Sequence, residues 1–300
     1  MKISITGGAG FVGQHLIKKL SETDHEIISI DLFAPDYKKL YKNKNISSIK
    51  ADSTKKGEWQ KYIEQSDIVI NLTGATIFNF WSKKYKSIIY NSRILTTKNI
   101  VESIDKNKRI ALINASAAGY YGNRGNDILT EQESPGNDFL ASVCNDWENE
   151  ALKAKEKNTR VAITRFGVVL GNGGALSKMI PLSKMMINPV LGNGNNFFPW
   201  IHIEDLCNAI IFLITNEKLD GVFNITSPDT ITQKKFTSEL YKKLNRPLFF
   251  RIPESIAEKI MGELGKSFMF SQKAIPANLL KNGFDFLFPD ITTAFKYIIT

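Results

Sequence analysis

Lys2-Ile3-Ser4-Ile5-Thr6-Gly7-Gly8-Ala9-Gly10-Phe11-Val12-Gly13-Gln14-His15-Leu16-Ile17-Lys18-Lys19-Leu20 is the stretch that decides the fold. The run from Lys2 to Thr6 is short, apolar and rich in β-branched residues, which predicts a strand. Gly7, Gly10 and Gly13 stand three apart and predict a sharp turn. The amphipathic run from Gln14 predicts a helix. Strand, glycine turn and helix, in that order, are the context in which a dinucleotide-binding fingerprint carries weight. Glycine tolerates the positive φ that a tight turn can require. Its missing side chain lets a pyrophosphate approach the backbone, and the last glycine lets helix and strand pack closely. The helix N-terminus then offers unbonded N–H groups and partial positive charge to the phosphates. A glycine-rich loop without a ligand is the competing reading, and the flanking strand and helix weigh against it. Thr6, Gly7, Gly10, Phe11, Val12 and Gly13 are therefore candidate cofactor-binding residues.

Working outward, Glu26 to Asp31 is a second strand ending in a carboxylate. A carboxylate there can accept hydrogen bonds from the adenosine ribose hydroxyls and repels a 2′-phosphate, so Asp31 favours NAD over NADP. Lys38 and Lys39 follow closely and can soften that preference. Ile46 to Asp52 reads as the third strand. Asp52 either faces the adenine or caps a helix expected over Lys56 to Gln65. Asp67 to Leu72 is a continuous apolar strand suited to burial on both faces of a parallel sheet. It runs into Leu72-Thr73-Gly74-Ala75, small residues that let the chain pass close to a cofactor at the carboxyl edge of the sheet.

A helix is expected from Ser82 to Ile104, with Tyr85, Ile88, Ile89, Ile94, Leu95, Ile100 and Val101 at helical spacings. Arg109 to Ser116 reads as strand five, Phe139 to Lys155 as a helix and Thr159 to Arg165 as strand six. Such alternation predicts a Rossmann-type, doubly wound parallel α/β sheet. After Arg165 the rhythm changes. Residues 166–174 are glycine-rich, and a methionine-bearing stretch spans Met179 to Met186. An aromatic loop follows at Phe197 to His202. Helices are expected near 204–215, 232–244 and 253–264, with a strand at Gly221 to Ile225. The expected organisation is a dinucleotide-binding domain over 1–165. Residues 166–300 would complete the sheet and form a smaller α+β cap over the substrate.

The formal charge is +9, but the lysines are scattered between apolar runs and form no dense stripe. That favours a solvated surface and argues against a nucleic-acid partner, while still attracting a phosphorylated small ligand. Cys144 and Cys207 give neither a disulfide framework nor a metal-ligand spacing. No apolar stretch approaches the roughly 20 residues of a membrane span, and no basic-then-apolar leader is seen. A cytoplasmic protein, monomeric or homodimeric, with no membrane partner and no metal is the expectation.

Taken together, these motifs resemble the extended short-chain dehydrogenase/reductase superfamily of the NAD-dependent epimerase/dehydratase type. The turn from Thr6 to Gly13, the segment Asn71 to Ala75, Arg165 to Gly171 and Trp200 to Leu206 carry the resemblance across nearly the whole chain. Ala115 to Gly122, Cys144 to Glu148 and Ile275 to Phe286 resemble an atypical subgroup of "epimerase family" proteins, some labelled cell-division-inhibitor-like. The resemblance implies a bound NAD or NADP, with NAD favoured by Asp31. It also implies hydride transfer on a small hydroxyl- or carbonyl-bearing substrate, nucleotide-sugar-like molecules included.

One departure matters. Active members of the superfamily carry Tyr-x-x-x-Lys on the helix after strand five, where lysine lowers the tyrosine pKa for proton exchange with substrate. Aligned on Glu148, this chain has Leu140 and Cys144 at those positions, and Ala117 where Ser or Thr is usual. Ser116, Tyr121 and His202, with Tyr120 beside them, are the remaining candidates for acid–base work. Tyr121 reads equally as a pocket wall, and His202 as a structural histidine before the next helix. Cys144 has no base placed beside it and reads as a buried helical thiol. The alternative function is a catalytically silent dinucleotide-binding sensor or scaffold.

Overall fold

The computed structural model describes residues 1–186, 189–247 and 251–299. Its first half alternates strand and helix: β1 (Lys2–Thr6), α1 (Phe11–Leu20), β2 (Glu26–Asp31), α2 (Tyr37–Tyr41), β3 (Ile46–Lys50), α3 (Gln60–Gln65), β4 (Ile68–Asn71), α4 (Lys83–Ser103), β5 (Ala111–Ala117), β6 (Ile128–Leu129), α5 (Phe139–Leu152) and β7 (Arg160–Phe166). The second half contains β8 (Val168–Gly171), α6 (Gly174–Lys184), β9 (Val190–Leu191), β10 (Phe197–Phe198), β11 (Trp200–His202), α7 (Ile203–Thr215) and β12 (Gly221–Ile225). It ends with β13 (Ile231–Thr232), α8 (Gln233–Lys243), β14 (Arg251–Ile252), α9 (Glu254–Phe268), β15 (Lys273–Ala274), α10 (Ala277–Lys281) and α11 (Ile291–Ile298).

Among the described residues, seven strands form one parallel sheet in the order β12-β7-β5-β4-β1-β2-β3. Side chains alternate across a strand, so the apolar runs feed both faces. Ile27 joins Ile3, Ile5, Leu16 and Ile17 on the side of α1 and α7. Ile28 and Ile30 join Trp59, Ile63, Val69 and Ile100 on the opposite side. The chain leaves β1 for β2 on one side and reaches β4 on the other. That reversal opens a crevice beyond the carboxyl ends of β1 and β4, where open α/β sheets bind ligands.

The remainder of the C-terminal half is α+β. Short pairs β8–β11, β9–β14, β10–β13 and β6–β15 surround a third core built on Leu176, Trp200, Phe236, Leu240, Ile291 and Phe295. The Asp205 carboxylate accepts from the backbone N–H groups of Leu287 (2.8 Å) and Phe288 (2.9 Å), tying the C-terminal segment to α7.

One local expectation changes, and two features are added to the reading. Helix α3 begins at Gln60, not Lys56, because residues 52–59 are held in turns: Asp52 accepts from Thr54, and the Trp59 indole N–H donates to the Lys55 carbonyl. Asp52 therefore does not cap α3. Helix α4 buries a polar stripe, Thr96, Thr97 and Asn99, while Ile88 and Leu95 stay exposed. Hydrogen bonds to Ser53 and Asn71 make that burial affordable. The short helix α2 was not expected; Asp36 caps it through the Lys39 N–H.

Candidate dinucleotide site

The turn after β1 has the shape its glycines imply. Gly7 adopts φ +75°, and a Cβ there would lie 2.7 Å from the carbonyl carbon of Leu72. A Cβ on Gly13 would lie 2.5 Å from the Gly7 carbonyl oxygen, so only glycine lets α1 start this close to the turn. The Gly10 N–H donates to the Gly7 carbonyl at 3.1 Å, and the Gln14 N–H to the Gly10 carbonyl at 2.9 Å. No side chain caps α1, and its first turn carries no acid. Its leading N–H groups therefore suit an anion from outside the chain. The Phe11 ring packs against Gly171, Gly173 and Gly174, coupling the turn to the β8–α6 connection. Val12 packs against the core on the α1 side.

Asp31 ends β2 directly beside this turn. Its Oδ2 accepts from the Ala9 N–H (3.0 Å) and its Oδ1 from the Leu32 N–H (2.7 Å). A negative charge thus stands against the glycine loop. Asp52 lies apart from these contacts: its Oδ1 accepts from the Thr54 N–H and hydroxyl, and its Oδ2 is 3.5 Å from Lys55 Nζ.

The end of β4 is set by a buried amide. Asn71 Oδ1 accepts from the Thr6 hydroxyl (2.8 Å) and the Thr73 N–H (3.2 Å). Asn71 Nδ2 donates to Thr97 Oγ1 and Asn114 Oδ1. The network locks β1, β4, β5 and α4 together and places Leu72-Thr73-Gly74-Ala75 beside Gly7. Thr73 Oγ1 is buried and has no partner among the described residues. A buried hydroxyl at this sheet edge can hydrogen-bond a ligand that reaches it. Glycine cradle, bare helix N-terminus and open hydroxyl fit a dinucleotide. Arg93 on α4 lies under this segment: its Nη1 donates to the carbonyls of Ala75 (3.1 Å) and Ile89 (3.0 Å).

Ser116 and Tyr121 are brought together, but inside a buried network. The Ser116 hydroxyl donates to Glu148 Oε1 at 2.6 Å. Glu148 also receives Nε and Nη2 of Arg165, each at 2.8 Å. Arg165 Nη1 donates to the Tyr121 hydroxyl at 3.0 Å, and that hydroxyl lies 2.7 Å from Asn224 Oδ1 and 3.0 Å from the Thr130 carbonyl. Burial pushes the Tyr121 pKa up to about 12 despite Arg165. Tyr120 lies with its ring 3.4 Å from the Arg165 guanidinium carbon.

His202 is elsewhere. It is buried, caps α7 by accepting the Glu204 N–H at Nδ1 (3.1 Å), and stacks on Phe288 with ring centroids 3.8 Å apart. Burial lowers its pKa to about 4. On the face of α5 toward Ser116, Cys144 is a buried thiol pushed by burial up to about 12, beside the Ser116 hydroxyl and the Ala117 backbone. Glu148, Arg165 and Arg93 escaped the sequence reading as site residues. Only the four-residue step from Cys144 to Glu148, which puts both on one helix face, hinted at the first.

Among the described residues, no cluster of His, Cys, Asp and Glu is placed to hold a metal ion. None of their helices is long and apolar enough to cross a membrane.

A parallel doubly wound sheet with this turn defines the class: a Rossmann-type, NAD(P)-binding fold. The chain belongs to the NAD-dependent epimerase/dehydratase family, whose model matches residues 3–226; residues 252–298 match a domain of unknown function. It is similar to the chloroplastic epimerase family protein SDR39U1 homolog of Arabidopsis thaliana, 34% identical over all of this chain and 87% of the relative. Among solved structures it is similar to human epimerase family protein SDR39U1 with NADPH, with TM-score 0.86, 25% identity and 99% of both chains covered. UDP-glucuronic acid 4-epimerase of Bacillus cereus, in complex with UDP-glucuronic acid and NAD, shares the fold: TM-score 0.80, 19% identity, 99% of this chain and 98% of the other.

Proposed function

We propose that this protein binds a nicotinamide dinucleotide through Thr6, Gly7, Gly10, Phe11, Val12, Gly13, Asp31, Leu72, Thr73, Gly74 and Ala75. Asp52 joins the adenine end in the same reading. The cofactor serves hydride transfer to or from a small hydroxyl- or carbonyl-bearing substrate. The observation that carries the reading is the cradle at Gly7 and Gly13, where any Cβ would collide with backbone and where α1 begins uncapped. Bound nicotinamide supplies the hydride chemistry. The chain supplies the anion-binding turn and the charge of Asp31. NAD is the favoured form, because Asp31 presents a carboxylate where NADP carries its extra phosphate. Residues 1–165 form the dinucleotide-binding part in this reading, and 166–300 complete the sheet and cap the substrate.

A second reading, a silent dinucleotide-binding sensor or scaffold, is favoured by one observation. Ser116 and Tyr121 are each buried and committed to internal hydrogen bonds, and His202 spends its Nδ1 on capping α7. The test is to bind reduced cofactor first and then screen carbonyl compounds and nucleotide sugars by absorbance near 340 nm. Cofactor oxidation by any substrate supports the enzymatic reading. Bound cofactor with no oxidation across the panel overturns it in favour of the silent one.

A further inference from the structure

Arg93 is a guanidinium with three of its five N–H donors unspent among the described residues. It rises from the middle of α4 into the layer beneath the β4 edge. Both Nη1 protons go to carbonyls, Ala75 and Ile89. Nε and Nη2 have no hydrogen-bond partner, and no carboxylate pairs with the group, among the described residues. One face lies over the Trp147 ring, 5.2 Å from its centroid. Burial lowers the pKa, and the nearest titratable neighbours are Cys144 and Tyr85, both ordinarily neutral. Arg93 keeps part of its surface open, so an anion from outside the chain can reach a cation that no internal carboxylate pairs.

The group is aimed at the reacting end of the site. A Cβ on Gly74 would lie 2.9 Å from both Cζ and Nη2 of Arg93, so glycine at this position leaves the fork room. Cys144, the thiol at the position of the missing lysine, is among its electrostatic neighbours. Gly74 lies in the segment that follows β4, on the side of β1 away from Asp31 and β2. In the dinucleotide reading, an adenosine ribose held at Asp31 would leave the nicotinamide half to be held on the β4 and β5 side of β1, the side from which Arg93 borders Gly74. The dinucleotide's own phosphates are accounted for by the glycine turn and α1.

We propose that Arg93 is the anion-binding residue of the substrate site, and that the substrate carries a carboxylate received by the free Nε–Nη2 edge. That edge matches a carboxylate in two parallel hydrogen bonds, which a lysine ammonium does not reproduce. The proposal rests on the dinucleotide reading of the groove and narrows its substrate to small acids.

The test is calorimetric titration of the full chain with oxalate, with and without saturating NAD, in wild type, Arg93→Gln, Arg93→Lys and Gly74→Ala. NAD affinity is measured on each protein. Oxalate affinity should fall at least tenfold in Arg93→Gln, recover only in part in Arg93→Lys, and fall in Gly74→Ala, where the fork is displaced but the charge kept. Because Arg93 also holds the Ala75 carbonyl, NAD affinity of the two Arg93 variants should fall by less than oxalate affinity does, and equal losses of both ligands would mark a merely structural role and overturn the proposal. Unchanged oxalate binding in Arg93→Gln, or a loss confined to NAD, overturns the proposal. Failure of wild type to bind NAD would overturn the dinucleotide reading instead, and the oxalate arm without cofactor would still report on Arg93.

Discussion

Arg165 and Glu148 form a buried bidentate ion pair, Nε to Oε1 and Nη2 to Oε2, both at 2.8 Å. The pair joins β7 to α5, and Ser116 and Tyr121 hang from it. Removing one partner strands a charge in the interior. Arg165→Met should therefore destabilise the fold by about 3–5 kcal/mol. Replacing both partners, Arg165→Met with Glu148→Leu, should be less damaging than the single change. Urea denaturation of the three proteins checks this, and equal losses would contradict it.

Tyr121→Phe removes a hydroxyl that accepts from Arg165 and lies against Asn224. The expected loss is about 1–3 kcal/mol of stability, because buried partners are left unsatisfied. Dinucleotide affinity should stay within twofold. A fall in turnover at unchanged stability would instead assign Tyr121 a chemical role.

Acid should weaken the fold through His202. Its pKa is about 4 in the folded chain against an ordinary 6.5, burial being the main cause, with Glu204, His15 and Lys19 as its electrostatic neighbours. Above pH 6.5 the group is neutral in both states and its contribution is complete. As pH falls from about 6.5 toward 4 the unfolded chain takes up the proton first, so stability is lost across that window. Below it the loss from this group levels off. Denaturation midpoints between pH 7.5 and 4 should fall more gently in His202→Gln than in wild type. Identical slopes would contradict the assignment.

Asp31→Ala should raise affinity for NADP relative to NAD. Removing a carboxylate close to the 2′-phosphate is expected to shift the ratio by about tenfold, or about 1.4 kcal/mol. Competition titration with both cofactors measures it. An unchanged ratio would mean Asp31 serves only to hold the Ala9 N–H.

The sheet was readable because its strands are continuous apolar runs. Ile68 to Asn71 and Gly221 to Ile225 need no distant partner to be recognised. The turn was readable because Gly7, Gly10 and Gly13 fall close together at a regular spacing in one short stretch. What escaped depends on distant contacts. Strand β15 forms only against β6, and the Tyr121 hydroxyl meets Asn224 over a hundred residues away. Periodicity located α4 but not its buried stripe, since Thr96, Thr97 and Asn99 are buried by bonds to Ser53 and Asn71 that no local pattern encodes. Arg93 carried no motif at all; it became visible only when β4 folded over it.

The central claim is that the Gly7-to-Gly13 cradle holds a nicotinamide dinucleotide. The most direct measurement is equilibrium titration of NADH and NADPH, read by nicotinamide fluorescence, on wild type and Gly13→Ala. A Cβ on Gly13 would sit 2.5 Å from the Gly7 carbonyl oxygen and displace the turn. Saturable binding by wild type, with NADH the tighter ligand, and at least a tenfold loss in Gly13→Ala are predicted. Absence of binding by wild type, or equal affinity in the variant, would contradict the claim.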